Sequence, residues 1–116
     1  MLFRSGAHFA FPEIEHDIPP TMAMCAALGK VQAKALTYLI YSADAVSAQE
    51  AVTLGLASKV LPQASFVADS EAFLKKLASR PRLILETIKR YQAKATQLSP
   101  DMASEYAGTL LALIRS

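Results

Sequence analysis

From Phe66 onward, apolar side chains return at intervals of three and four, a spacing that only helices packed side by side can bury. Phe66, Ser70, Phe73, Leu74 and Leu77 define one stripe, with Lys75 and Lys76 on its wetter side, and Arg80-Pro81 breaks it. Ile84, Ile88, Tyr91, Ala95 and Leu98 then step by alternating four and three, the pattern of a longer helix. Ser99-Pro100-Asp101 supplies a cap, a first-turn proline and an acid near the positive end of the helix dipole. The last helix is expected to carry Ala103, Tyr106, Leu110 and Leu113 on one side, with Leu111 and Ile114 widening that face.

Upstream the signals are shorter. His8 to Phe11 alternates briefly, and Pro12 ends it, which predicts a short extended piece. Glu13 to Pro20 is polar and closed by two prolines, and reads as a connecting loop. Pro20 suits the first turn of a helix over Thr21 to Leu28, stopped by Gly29. Val31, Ala35, Leu36, Leu39 and Ile40 mark a second helix, with Lys30 and Lys34 off its stripe. Ser47-Ala48-Gln49-Glu50 is a capping box, Gly55 suits the left-handed position after a short helix, and Leu56 to Leu61 suits a strand ended by Pro62. The fold class is therefore mainly α with one or two short β segments.

A chain of 116 residues argues against a multidomain architecture. Folded alone it buries only about two-thirds of the surface its unfolded chain exposes. Yet 53% of its residues are apolar and only 19% charged, against about 25% charged in an average soluble domain. This surplus excludes intrinsic disorder and needs somewhere to be buried. A net charge of +2 leaves no electrostatic footprint for nucleic acid or an anionic membrane. No apolar run reaches the roughly 20 residues that span a bilayer, and from the opening residues no export signal is expected. Cys25, the single cysteine, forms no intrachain disulfide and fits a reducing compartment, so the expected location is the cytoplasm.

The densest cluster of chemically useful side chains is Glu13, Glu15, His16 and Asp17, with His8 nearby. Carboxylates beside a proline-rich turn can act as general acid or base, although a solvated loop has the same composition. A metal site on His8, Glu13 and His16 is a third reading, but no i, i+4 histidine pair supports it, and no metal is expected. Cys25, set among Met22, Met24, Ala26 and Ala27, reads as a small core residue rather than a nucleophile. Lys89, Arg90 and Lys94 read as a solvated basic face, and the 4 scattered glycines form no phosphate loop.

The stretch AHFAFPEIEHDIPP, followed by KALTYLIYSADAVSAQEAVTLGLASKVLP, resembles the C-terminal half of the crotonase superfamily, the enoyl-CoA hydratase/isomerase family. Members show a similar F-x-F-P-E-I segment, a helix ending near A-K-A-L, and then I-S-A-x-E-A-x-x-x-G-L-V-x-x-V, which here spans Val46 to Val60. The resemblance implies the C-terminal helical portion of a crotonase-like α/β fold. Residues 1–62 would be the end of its core, carrying the Pro-Glu motif, and residues 63–116 a helical association region. It also implies acyl-CoA thioesters as substrates, no further cofactor, and assembly into trimers or multiples of them.

Glu13 matches the family's acid/base glutamate, which in hydratases works with a second glutamate and in isomerases can move the proton alone. Thr21 stands where the first glycine of the hydratases' P-G-x-G-G-T is found, a position that helps hold water through its backbone N–H. Its side chain crowds that water, which argues against ordinary hydration and leaves isomerisation, decarboxylation or thioester hydrolysis. The family's β-spiral, oxyanion amides and second glutamate lie in the half preceding this segment, so the expectation is a chain truncated at both ends and inactive alone. The competing expectation is a non-enzymatic helical oligomerisation module. On either, the surface around Phe9 to Phe11 and Met22 to Ala27 is expected to lack its normal cover.

Overall fold

The computed structural model describes residues 2–116, in two compact units, one ending at Ala72 and the other running from Phe73 to Ser116. The first unit holds every strand: β1 (Leu2–Arg4), β2 (His8–Phe9), β3 (Val46–Ser47) and β4 (Lys59–Leu61). Between them come a 3-10 turn (Pro12–His16) and helices α1 (Thr21–Ala27), α2 (Ala33–Ser42) and α3 (Ala48–Thr53). A second 3-10 turn (Gln63–Ser65) leads into α4 (Phe66–Ala78), and α5 (Arg82–Ala95) and α6 (Pro100–Arg115) complete the chain. The fold is mainly α with a few short strands.

β1 pairs in parallel with β4, Phe3 opposite Val60, and β2 pairs antiparallel with β3, His8 opposite Ser47 and Phe9 opposite Val46. These pairings hold the two ends of the unit's sequence together around a core of Phe11, Leu36, Leu39, Ile40 and Val46. Leu39 and Val46 are the largest fully buried side chains. Leu36, Leu39 and Ile40 come from the predicted stripe of α2, because residues three and four apart share a helix face. The capping box forms as expected: Ser47 Oγ accepts from the Glu50 amide at 3.1 Å, and Glu50 Oε1 accepts from the Ser47 amide at 3.4 Å. Gly29 and Gly55 take φ of 75° and 85°, ending their helical segments in the left-handed region that glycine reaches without a Cβ clash.

Several local expectations are corrected. The Glu13–Pro20 loop is partly ordered into the 3-10 turn Pro12–His16. The strand expected from Leu56 begins only at Lys59, because the Leu56 and Ala57 amides both donate to the Ala51 carbonyl and are unavailable to a ladder. Phe11, expected on an uncovered surface, is 7% exposed and part of the core. It packs edge-on against Phe9 with ring centroids 5.1 Å apart.

In the second unit α5 packs on α6. The Tyr91 and Tyr106 rings stack at 6.0 Å, and Lys94 Nζ lies 5.0 Å from the Tyr106 centroid. Lys94 therefore does more than face solvent. Leu110 is the buried residue of α6, at 6% exposure, whereas Leu113, expected on the same face, is 62% exposed. The seam uses Tyr106 and Leu110, and Ala107, Leu111 and Ile114 border a groove beside it, so Leu113 falls outside the apolar arc.

Candidate active site

Glu13 sits in the first turn of the 3-10 segment, two residues after Phe11, whose buried ring anchors the entry to that turn. One carboxylate oxygen, Oε2, is sealed from solvent and has no hydrogen-bond partner, the one such side-chain oxygen or nitrogen among the described residues. A buried carboxylate oxygen normally finds a donor, so this one is an open acceptor. The backbone beneath it is tightly tied. The Asp17 amide donates to the carbonyls of Glu13 and Ile14, and the Ile18 amide donates to the Glu13 carbonyl at 3.1 Å.

The same turn forms one wall of a solvent-open apolar cavity of about 810 Å³, bordered elsewhere by α1, the Leu28–Val31 bend and α2. Ile14, Ile18, Met24, Leu28, Leu36 and Ile40 give it its apolar lining, and Asp17 is the carboxylate on its border. That volume lies in the range of small-molecule sites, about 300–1,000 Å³. Glu13 itself does not line the cavity. The turn thus presents Ile14 and Ile18 to the cavity and carries Glu13 beside them. The composition of the loop hid this wall, since isolated isoleucines between polar residues carry no periodic signal.

Thr21, at the start of α1, is exposed, and its amide donates to the Pro19 carbonyl at 2.8 Å. Glu15, His8 and His16 are exposed. His8 lies in β2 opposite Ser47 while His16 ends the 3-10 turn, and among the described residues no three His, Cys, Asp or Glu side chains converge to hold a metal ion. The structure does not bring His8, Glu13 and His16 together. Cys25 is corrected, being exposed on α1 rather than in the core. No helix among the described residues is long and apolar enough to cross a membrane.

Solved structures share this fold. The enoyl-CoA hydratase of Mycobacterium smegmatis superposes with a TM-score of 0.87 at 24% identity, covering 97% of this chain and 44% of that one. Human enoyl-CoA hydratase domain-containing protein 3 gives 0.88 at 22% identity, covering 96% and 44%. A Thermobifida fusca structure in complex with CoA, described as a hydratase of the same kind, gives 0.85 at 20% identity, covering 98% and 45%. The chain thus spans less than half the length of the structures it matches. No curated protein matches it. The enoyl-CoA hydratase/isomerase family model matches residues 2–111. With a Pro-Glu turn of the family's pattern seated beside an apolar cavity, and a family match over nearly the whole chain, the chain belongs to the enoyl-CoA hydratase/isomerase family.

Proposed function

We propose that this chain is the C-terminal portion of an acyl-CoA-processing enzyme, with Glu13 as the acid/base that moves a proton at the α-carbon of a thioester enolate. The observation that carries this reading is the unpartnered, sealed Oε2 of Glu13. A general base needs a lone pair not committed to other donors, and a carboxylate already saturated by donors would be a poor one. The turn's apolar neighbour supports a thioester whose acyl part seeks Ile14 and Ile18. Thr21 would stand at the substrate's water position. Its amide is engaged by Pro19, which favours proton transfer over hydration. The chemistry needs no resident cofactor, because the thioester carbonyl itself carries the enolate.

Residues 1–62 would complete the catalytic core and residues 63–116 would join copies into a homo-oligomer in the cytoplasm. In isolation the chain is expected to be nearly inactive. Losing a single oxyanion-hole donor costs about 10²–10³ in rate, and the resemblance assigns those donors to residues outside this sequence. Crotonyl-CoA hydration by residues 1–116 at the rate of an intact homologue would overturn that account.

A chimera tests the role of Glu13 directly: residues 1–116 replace the matched segment of the Mycobacterium smegmatis enoyl-CoA hydratase, and exchange of the α-protons of butyryl-CoA into D2O is followed. The expected result is exchange that falls at least about a hundredfold in Glu13→Gln, the scale of general-base catalysis. Exchange undiminished in that variant would sink the assignment.

A further inference from the structure

We infer that Asp17 is the positioning residue for the Glu13 carboxylate, a role that rests on the reading of Glu13 as the acid/base. Asp17 has φ of 57°, in the left-handed region. The Asp17 amide closes the turn onto the carbonyls of Glu13 and Ile14, and the left-handed conformation of Asp17 then carries the next amide, of Ile18, onto the Glu13 carbonyl. Of the two donors to the Glu13 carbonyl, the Asp17 amide thus belongs to the turn itself, and the Ile18 amide reaches it because the chain reverses at residue 17.

The three residues after Asp17 cannot share the adjustment. Ile18 precedes a proline and is confined to extended conformations, and Pro19 and Pro20 have fixed φ. Downstream of Glu13 the conformational choice between the turn and α1 is therefore concentrated at Asp17. Aspartate tolerates the left-handed region because its short polar side chain is compatible with it; a β-branched residue is not. The segment that Asp17 closes is also the wall presenting Ile14 and Ile18 to the cavity, so opening it would move Glu13 and that wall together.

The test uses the chain as it stands. Carbodiimide coupling of an amine, read by mass spectrometry, compares Glu13 with Glu15, the exposed carboxylate of the same turn that serves as internal reference. In Asp17→Val the Glu13-to-Glu15 labelling ratio is expected to rise several-fold, under conditions where circular dichroism shows native helix content. Asp17→Gly and Asp17→Asn, which keep access to the left-handed region, should return the parental ratio, a rescue that simple loss of packing would not produce.

Should Asp17→Val fail to fold, Asp17→Ala takes its place, with amide exchange at Ile18 expected to be several-fold faster than in Asp17→Gly. A folded Asp17→Val with the parental ratio, or a raised ratio in Asp17→Gly, overturns the positioning role. So does equal Ile18 exchange in the alanine and glycine variants. Failure of the acid/base reading shows elsewhere, as α-proton exchange that survives Glu13→Gln in the chimera, and leaves the labelling ratios untouched.

Discussion

At the scale of single residues, what decides behaviour is whether a side chain's partners lie within its own turn. Ser47 is the clearest case: its hydroxyl accepts from the Glu50 amide while the Glu50 carboxylate accepts from both the amide and the hydroxyl of Ser47. Ser47→Ala removes the cap and should lower stability by about 1 kcal/mol, measured as a shift of the urea midpoint at unchanged slope. Gly55, at φ 85° with only the Lys30 carbonyl near its virtual Cβ, has space for a methyl group but the wrong backbone for it. Gly55→Ala should therefore cost about 1 kcal/mol through conformation and not through a clash. Both features are legible in the sequence because their signals lie within four residues or in one residue type. Asp17 is not, since aspartate in the left-handed region leaves no mark of the kind that a helix-ending glycine leaves. Cys25 misleads for a related reason: an alanine- and methionine-rich helix has no polar face from which to infer which side is wet.

At the scale of elements, local periodicity identifies helices well and their partners poorly. The three C-terminal helices appear within a few residues of where the apolar stripes place them, because a period near 3.6 needs no tertiary information. β1 is invisible in the sequence: three residues acquire strand geometry only through β4, which arrives from the far end of the same unit. The α5–α6 seam shows the same limit in finer form, since a stripe three to four residues apart is wide and only the partner helix decides its centre. Leu110→Ala should cost about 2–3 kcal/mol, near the low end for buried leucines because an open groove adjoins the site. Leu113→Ala should change stability by less than about 0.5 kcal/mol. Urea unfolding followed by far-UV circular dichroism distinguishes the two, and equal losses would mean that the seam is centred elsewhere.

At the scale of the whole chain, the apolar surplus has found only part of its burial. Phe11 and the α2 stripe are satisfied internally, yet Met22 is 85% exposed, and Leu28 and Tyr41 on the border of the cavity stand well out of the core. In the second unit Leu83, Ile88, Leu111 and Leu113 are exposed as well, and neither α4 nor α5 contains a buried residue. Soluble monomers rarely leave large contiguous apolar patches in water, and a helix pair with one buried leucine is a weak unit by itself. In solution the 12.5 kDa chain should therefore self-associate. Light scattering behind size exclusion should give a mass that rises with loading concentration, and charged substitutions at Leu83 and Ile88 should lower it without lowering helix content. A monodisperse 12.5 kDa species at high concentration would mean that these side chains are tolerated in water, and the association role of residues 63–116 would fall with that result.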